Sequence, residues 1–138
     1  MILNELRKNA RVSLLEVAKK TNIPLSTVYD KVNNYERDII RKHTSIVDFS
    51  SIGYNARKLV VLKVCKESRQ EVQNFLANHP NVNSLYRINS GYDYLIDIIA
   101  GNSGKIKDIL DELSSQKGVL DMSGYDIVDE LKREAFVL

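Results

Sequence analysis

Residues 16–32 read EVAKKTNIPLSTVYDKV, two helix-like stretches with Asn22-Ile23-Pro24 between them. Upstream of the break, Leu14, Val17 and Ala18 share one helical face. Ser13 stands before this stretch and Glu16 follows three residues later. That is a capping-box spacing, which predicts that both side chains satisfy free backbone N–H groups. Asn22 tolerates the left-handed backbone that a tight exit requires. Pro24 has no N–H and suits the first turn of a new helix. Downstream, Val28, Val32 and Tyr35 fall at i, i+4 and i+7, again one apolar face. Small Ala18 allows close approach and Val28 fills the contact, so the spacing predicts two short helices crossing at a large angle, a helix-turn-helix.

Working outward, Ile2, Leu3 and Leu6 predict a first helix over 2–9. Opposite the apolar face of the third helix lie Ser26, Asp30, Asn33 and Asn34, with Thr27, Tyr29 and Lys31 at its margins. Hydroxyls, amides and a lysine at such positions donate to phosphates or read base edges in a DNA major groove. A helical hairpin with a solvated polar face would look similar. Residues 39–48, IIRKHTSIVD, read as an extended segment or small wing, with Arg41 and Lys42 placed for phosphate contact and His43 as a surface residue. Residues 1–45 hold nine Lys and Arg against five Asp and Glu, +4, whereas residues 46–138 carry −2. A basic head on a mildly acidic body fits a polyanionic partner for the head.

Other classes find little support. No apolar run approaches the roughly 18 residues of a membrane span. The charged start MILNELRKN is unlike a signal peptide, and the single cysteine, Cys65, suits a reducing cytoplasm. Two distant histidines and one strand cysteine offer neither a metal cluster nor a nucleophile with its base, so no catalytic residue, metal or cofactor is expected.

FSSIGYNAR at 49–57 breaks the pattern and marks a hinge. The expected organisation is a helix-turn-helix domain over 1–45, an extended linker over 46–57 and a second domain over 58–138. In the latter, KLVVLKVC (58–65) predicts a strand and RQEVQNFLAN (69–78) a helix burying Val72, Phe75 and Leu76. His79 follows, placed to cap the last turn of that helix. VNSLYRIN (82–89) and YDYLIDIIA (92–100) predict strands joined through a Ser90-Gly91 turn. A helix from Gly104 to Gln116 and a last strand over 119–128 complete the order βαββαβ. The fold class expected is therefore α+β, a winged helix-turn-helix followed by a ferredoxin-like antiparallel sandwich. Two helices cover only one sheet face, so Leu59, Val61, Leu95 and Ile99 are left for a second copy of the chain, or for the C-terminal tail.

In order and spacing, ILNEL, EVAKKTNIPLSTVYDKVNNYE, IVD followed by IGY, and GYDYLIDI together resemble the Lrp/AsnC, or feast/famine, family of transcription regulators. The resemblance implies homodimers, often octamers, on palindromic double-stranded DNA, with a small amino acid between subunits near Ser90, Gly91, Tyr92, Asp93 and Tyr94. Free amides about the glycine would hold its carboxylate and Asp93 its ammonium group. Asp30, where the family favours a basic residue, and the lack of a glycine before the wing are departures, so no particular operator carries over. A global DNA binder that ignores amino acids is the alternative. So is an enzyme resembling siroheme decarboxylases, although NVNSLYRIN lacks the histidine those would show.

Overall fold

The computed structural model describes all 138 residues. They form two compact units, Met1–Ile46 with Lys132–Leu138, and Val47–Leu131. The sequence boundary at 45 and 46 lies beside the observed one, but residues 132–138, expected in the second domain, group with the first. The physical reason is that Asn4 and Arg7 hydrogen-bond their main chain.

The first unit packs α1 (Ile2–Lys8), α2 (Leu14–Thr21) and α3 (Leu25–Asp38) around Ile2, Val17, Ala18, Val28 and Val32. Val17 and Val28 are fully buried, as their helical spacing requires. Asn22 ends α2 at φ 56, ψ 38, left-handed as expected. Only half of the capping box forms. Ser13 Oγ accepts from the Glu16 N–H at 3.1 Å, but the Glu16 carboxylate pairs with Lys20 Nζ at 3.0 Å, one turn on. That pairing raises the Lys20 pKa through the hydrogen bond that Lys20 donates to Glu16. Pro24 stands just outside α3 as its N-cap rather than within its first turn, and its carbonyl accepts from Val28 N–H at 3.0 Å. Residues 40–48 take no regular structure, so no strand-built wing is present. A wing strand needs a paired neighbour, and this unit contains no strand at all.

The second unit runs β1 (Ala56–Val64), α4 (Arg69–Asn78), β2 (Val82–Arg87), β3 (Tyr94–Ala100), α5 (Ser103–Ser114) and β4 (Val119–Asp126). The sheet is antiparallel in the order β2-β3-β1-β4. One face packs Val60, Leu62, Val64, Ile96 and Ile98 against Val72 and Leu76 of α4 and Ile106, Ile109 and Leu113 of α5. A 3-10 turn, Phe49–Ile52, leads into β1, and Asp48 caps it by accepting from Ser50 N–H at 3.2 Å. His79 caps α4 as its place in the sequence suggests, through its backbone N–H, which donates to the Leu76 carbonyl at 3.2 Å, and its ring makes other contacts. Its Nδ1 accepts the Asn81 N–H at 3.1 Å, and its Nε2 lies 3.5 Å from Glu112 of α5.

Candidate nucleic-acid interface and effector turn

The break at Asn22–Pro24 determines what α3 presents. Because Val28 and Val32 are buried, the rest of the helix is turned outward: Ser26, Tyr29, Asp30, Lys31, Asn33 and Asn34 are all exposed, and Thr27 is half-buried. These are the sequence-predicted reading residues, and the helix brings them together on one surface. Proline at the N-cap supplies no side-chain acceptor to the first turn. The free N–H groups there, with the positive end of the helix dipole, form a ready site for a phosphate oxygen. Asn34 Oδ1 accepts from Arg37, whose guanidinium also pairs with Asp38 at 3.0 Å. Lys31, Arg41 and Lys42 are exposed and enter no ion pair, which leaves them free for phosphates. His43 is a surface residue with its Nε2 at 3.3 Å from Glu36.

The turn between β2 and β3 is built as the sequence suggests, with left-handed Ser90 at φ 68 and Gly91 at φ 107. Both are exposed and Tyr92 is half-buried. Asp93 and Tyr94 face inward. One Asp93 carboxylate oxygen accepts the Val64 N–H at 2.7 Å and the other pairs with Arg69 at 3.0 Å. Tyr94 is 2 % exposed, and its hydroxyl donates within α4, near Gln73 Oε1 at 3.1 Å. The five residues are therefore contiguous without sharing a surface: 90–92 face solvent, and 93–94 fasten the turn to β1 and α4. Arg69, which closes this arrangement, carries no sequence signal beyond its place at the start of a helix.

The sheet face away from α4 and α5 holds Leu59, Val61 and Leu95 half-buried, flanked by Tyr86 and Tyr125 at 57 and 64 % exposed. Ile99, expected to be exposed there, is only 8 % exposed, in a stretch where its N–H and carbonyl bond to Asn81. In the midst of this face lies an ion pair that sequence reading missed. Arg57 grips Asp97 bidentately, Nε–Oδ1 at 2.9 Å and Nη2–Oδ2 at 2.7 Å, while Nη1 meets Glu130. Asn83 adds a hydrogen bond to Asp97 at 3.0 Å. Asp97 holds the guanidinium above its usual pKa. A charge inside the apolar run YLIDIIA was the signal available for it, since a buried carboxylate needs a partner.

No group of three or more His, Cys, Asp or Glu stands close enough to hold a metal ion. No helix is long and apolar enough to cross a membrane. The winged helix-turn-helix DNA-binding family matches residues 1–38. The Lrp/AsnC ligand binding domain matches residues 59–135, more than half of the chain. The chain belongs to the Lrp/AsnC family. The chain is similar to the HTH-type transcriptional regulator FL11 of Pyrococcus furiosus, 29% identical over 119 residues, 86% of this chain and 79% of that one. The transcriptional regulator AzlB of Bacillus subtilis is 28% identical over 130 residues, 91% of this chain and 81% of its own. Among solved structures, LrpC of B. subtilis matches 95% of this chain and 92% of its own with a TM-score of 0.85 at 23% identity. The Neisseria meningitidis regulator NMB0573, in complex with L-methionine, matches 96% and 88% with a TM-score of 0.88 at 20% identity. These structures establish the shared fold, an α+β chain with an N-terminal helix-turn-helix and a four-stranded antiparallel sheet.

Proposed function

We propose that this Lrp/AsnC chain is a sequence-specific DNA-binding transcription regulator, acting as a homodimer or larger assembly, whose grip on DNA is set by a small amino acid. The observation that carries the reading is the surface of α3, with uncapped N–H groups, hydroxyls, amides and Lys31 in one place. Arg41 and Lys42 supply phosphate contacts beside it, and Asp30 disfavours some bases where it faces them. Two copies joined through the open sheet face would present two such helices, matching palindromic half-sites one helical turn apart. The effector would be held by the free amides of the Ser90–Tyr92 turn, with Asp93 and Tyr94 positioning that turn. Support comes from the family's ligand binding domain over 59–135 and from the L-methionine complex of NMB0573. The setting would be the cytoplasm, and the role regulatory rather than enzymatic.

One observation favours a binder indifferent to amino acids. The Asp93 carboxylate is already taken by Val64 and Arg69, which removes the obvious acceptor for an ammonium group. A fluorescence anisotropy titration separates the two readings. Labelled DNA from upstream of the gene is compared with a shuffled duplex between about 50 and 200 mM salt, where phosphate contacts lose much of their affinity. The comparison is then repeated with each amino acid. Tighter binding to the native duplex that persists at high salt, and that one amino acid shifts, is the expected result. Equal binding to both duplexes would overturn sequence specificity, and indifference to all amino acids would overturn the effector.

A further inference from the structure

The first unit contains a binding site that DNA recognition leaves unused. Asn4 and Arg7 stand one turn apart on α1, and both direct their side chains to the main chain of residues 134–138. Asn4 pairs with the main chain of Leu138, its Nδ2 donating to the main-chain oxygen at 2.8 Å and its Oδ1 accepting the N–H at 2.9 Å. Arg7 Nε donates to the Phe136 carbonyl at 3.2 Å and Nη2 to the Glu134 carbonyl at 3.3 Å. The Glu134 carboxylate lies 3.7 Å from the same guanidinium. The main-chain oxygens gripped belong to residues 134, 136 and 138, the two-residue period of a strand. A chain turn at Glu134, φ 51, delivers the segment to the helix.

Beyond the Glu134 ion pair, the side chains of the segment stay largely in solvent. Phe136, Val137 and Leu138 remain 73, 73 and 59 % exposed. What α1 reads is the backbone, as in strand-addition recognition, with two side chains standing in for a strand edge. For its part α1 is a seven-residue helix whose N-terminus has no side-chain cap, and helices so short are marginal without outside contacts.

We propose that Asn4 and Arg7 form a docking site for an extended peptide main chain, that the chain's own 134–138 segment is its occupant, and that this strap holds α1 in its helical, packed form. The site takes its ligand by main-chain geometry and is tolerant of side-chain identity at 136–138.

The test is amide hydrogen exchange of α1 in the intact chain and in a chain ending at Leu131. Without the strap, α1 amides should exchange at least about tenfold faster, the size expected from losing a few net hydrogen bonds. A synthetic peptide of residues 132–138 at millimolar concentration should restore protection. So should the same peptide with alanine at 136 and 137, whereas N-methylation of the Leu138 nitrogen should abolish the rescue. Unchanged exchange on truncation, or equal rescue by the N-methylated peptide, would overturn the proposal. Should the shortened chain fail to fold, the intact chain carrying Asn4→Ala serves instead: its Leu138 and α1 amides must lose protection together, and retention of both sinks the idea. Protection independent of protein concentration assigns the strap to the same chain, and protection that grows with concentration assigns it to a second copy and overturns that part. None of these readouts involves DNA, so they fail or succeed apart from the regulator reading.

Discussion

At Gly118 the backbone stands at φ +92, and an added Cβ would lie 2.3 Å from Ser68 Cβ and 2.9 Å from Cys65 Sγ. Ser68 is itself buried, the last residue of a 3-10 turn, Lys66–Ser68, that precedes α4, so the obstruction is not a loose surface group. Gly118→Ala therefore meets both backbone strain and overpacking, and should lower stability by roughly 2 to 4 kcal/mol, read as a drop in urea midpoint at unchanged slope. Asp93 supports a second prediction. Asp93→Ala orphans the Val64 N–H and releases Arg69, whose Nε already lacks a partner. The loss should be about 1 to 3 kcal/mol, whereas Asp93→Asn keeps an acceptor and most of the stability. Equal loss in both variants would mean that charge, not acceptance, matters. Asp48 adds a pH dependence. Hydrogen bonds from Ser50 and Ser51 hold its carboxyl below the usual pKa. A folded-state value below the unfolded one stabilises at higher pH and fades as pH falls through the lower value. The gap in melting temperature between the native chain and Asp48→Ala should then be constant above about pH 5 and close in stronger acid.

Among the elements, those legible in the sequence were the ones whose burial comes from their own periodicity. Val28 and Val32 placed α3, and alternating Val60, Leu62 and Val64 placed β1, because each pattern requires only a core to face. The αL exit at Asn22 was legible too, since few residues accept that conformation. What escaped depends on partners distant in sequence. Residues 132–138 have no amphipathic pattern because their main chain makes most of the bonds, and the one complementary charge, Glu134 toward Arg7, does not by itself single out that partner. The second half of the capping box failed for a local reason: Lys20 offered Glu16 an ion pair on the same face. Of the proposed DNA residues, exposure on one surface was readable from the helical period, but their contacts with DNA are an expectation for experiment. Lys31→Ala, on the exposed side of α3 and outside every ion pair, should weaken binding to all duplexes alike and reduce the slope of log affinity against log salt by about 1. A base-reading residue such as Asn33 should instead relax preference at one position when replaced by Ala, at about 1 to 3 kcal/mol. An unchanged slope in Lys31→Ala would remove that lysine from the interface.

For the whole molecule, the open sheet face joins an apolar patch to a buried ion pair, and the two make different demands on a partner. Leu59, Val61 and Leu95 would gain from any apolar cover. Arg57 and Asp97 already satisfy one another, with Asn83 and Glu130 completing the set. They neither seek a partner charge nor tolerate misalignment that would pull them apart. A second copy related by a two-fold axis would cover apolar centre with apolar centre. Val61→Glu, in the centre of β1, puts a charge where the partner would sit while leaving the helix-covered core untouched. If copies join through this face, it should leave folded monomers in sedimentation velocity, with the far-UV signal retained. DNA affinity should fall by on the order of a hundredfold, because two linked recognition helices become one. Arg57→Ala is the contrasting variant. It strands Asp97, 5 % exposed, with Asn83 alone, and should cost about 3 kcal/mol of fold stability whatever the oligomeric state. If Val61→Glu stays assembled and binds DNA normally, copies join elsewhere and the open face has another use. If it unfolds as Arg57→Ala is expected to, then Val61 serves the core of its own chain and the face is not a partner surface.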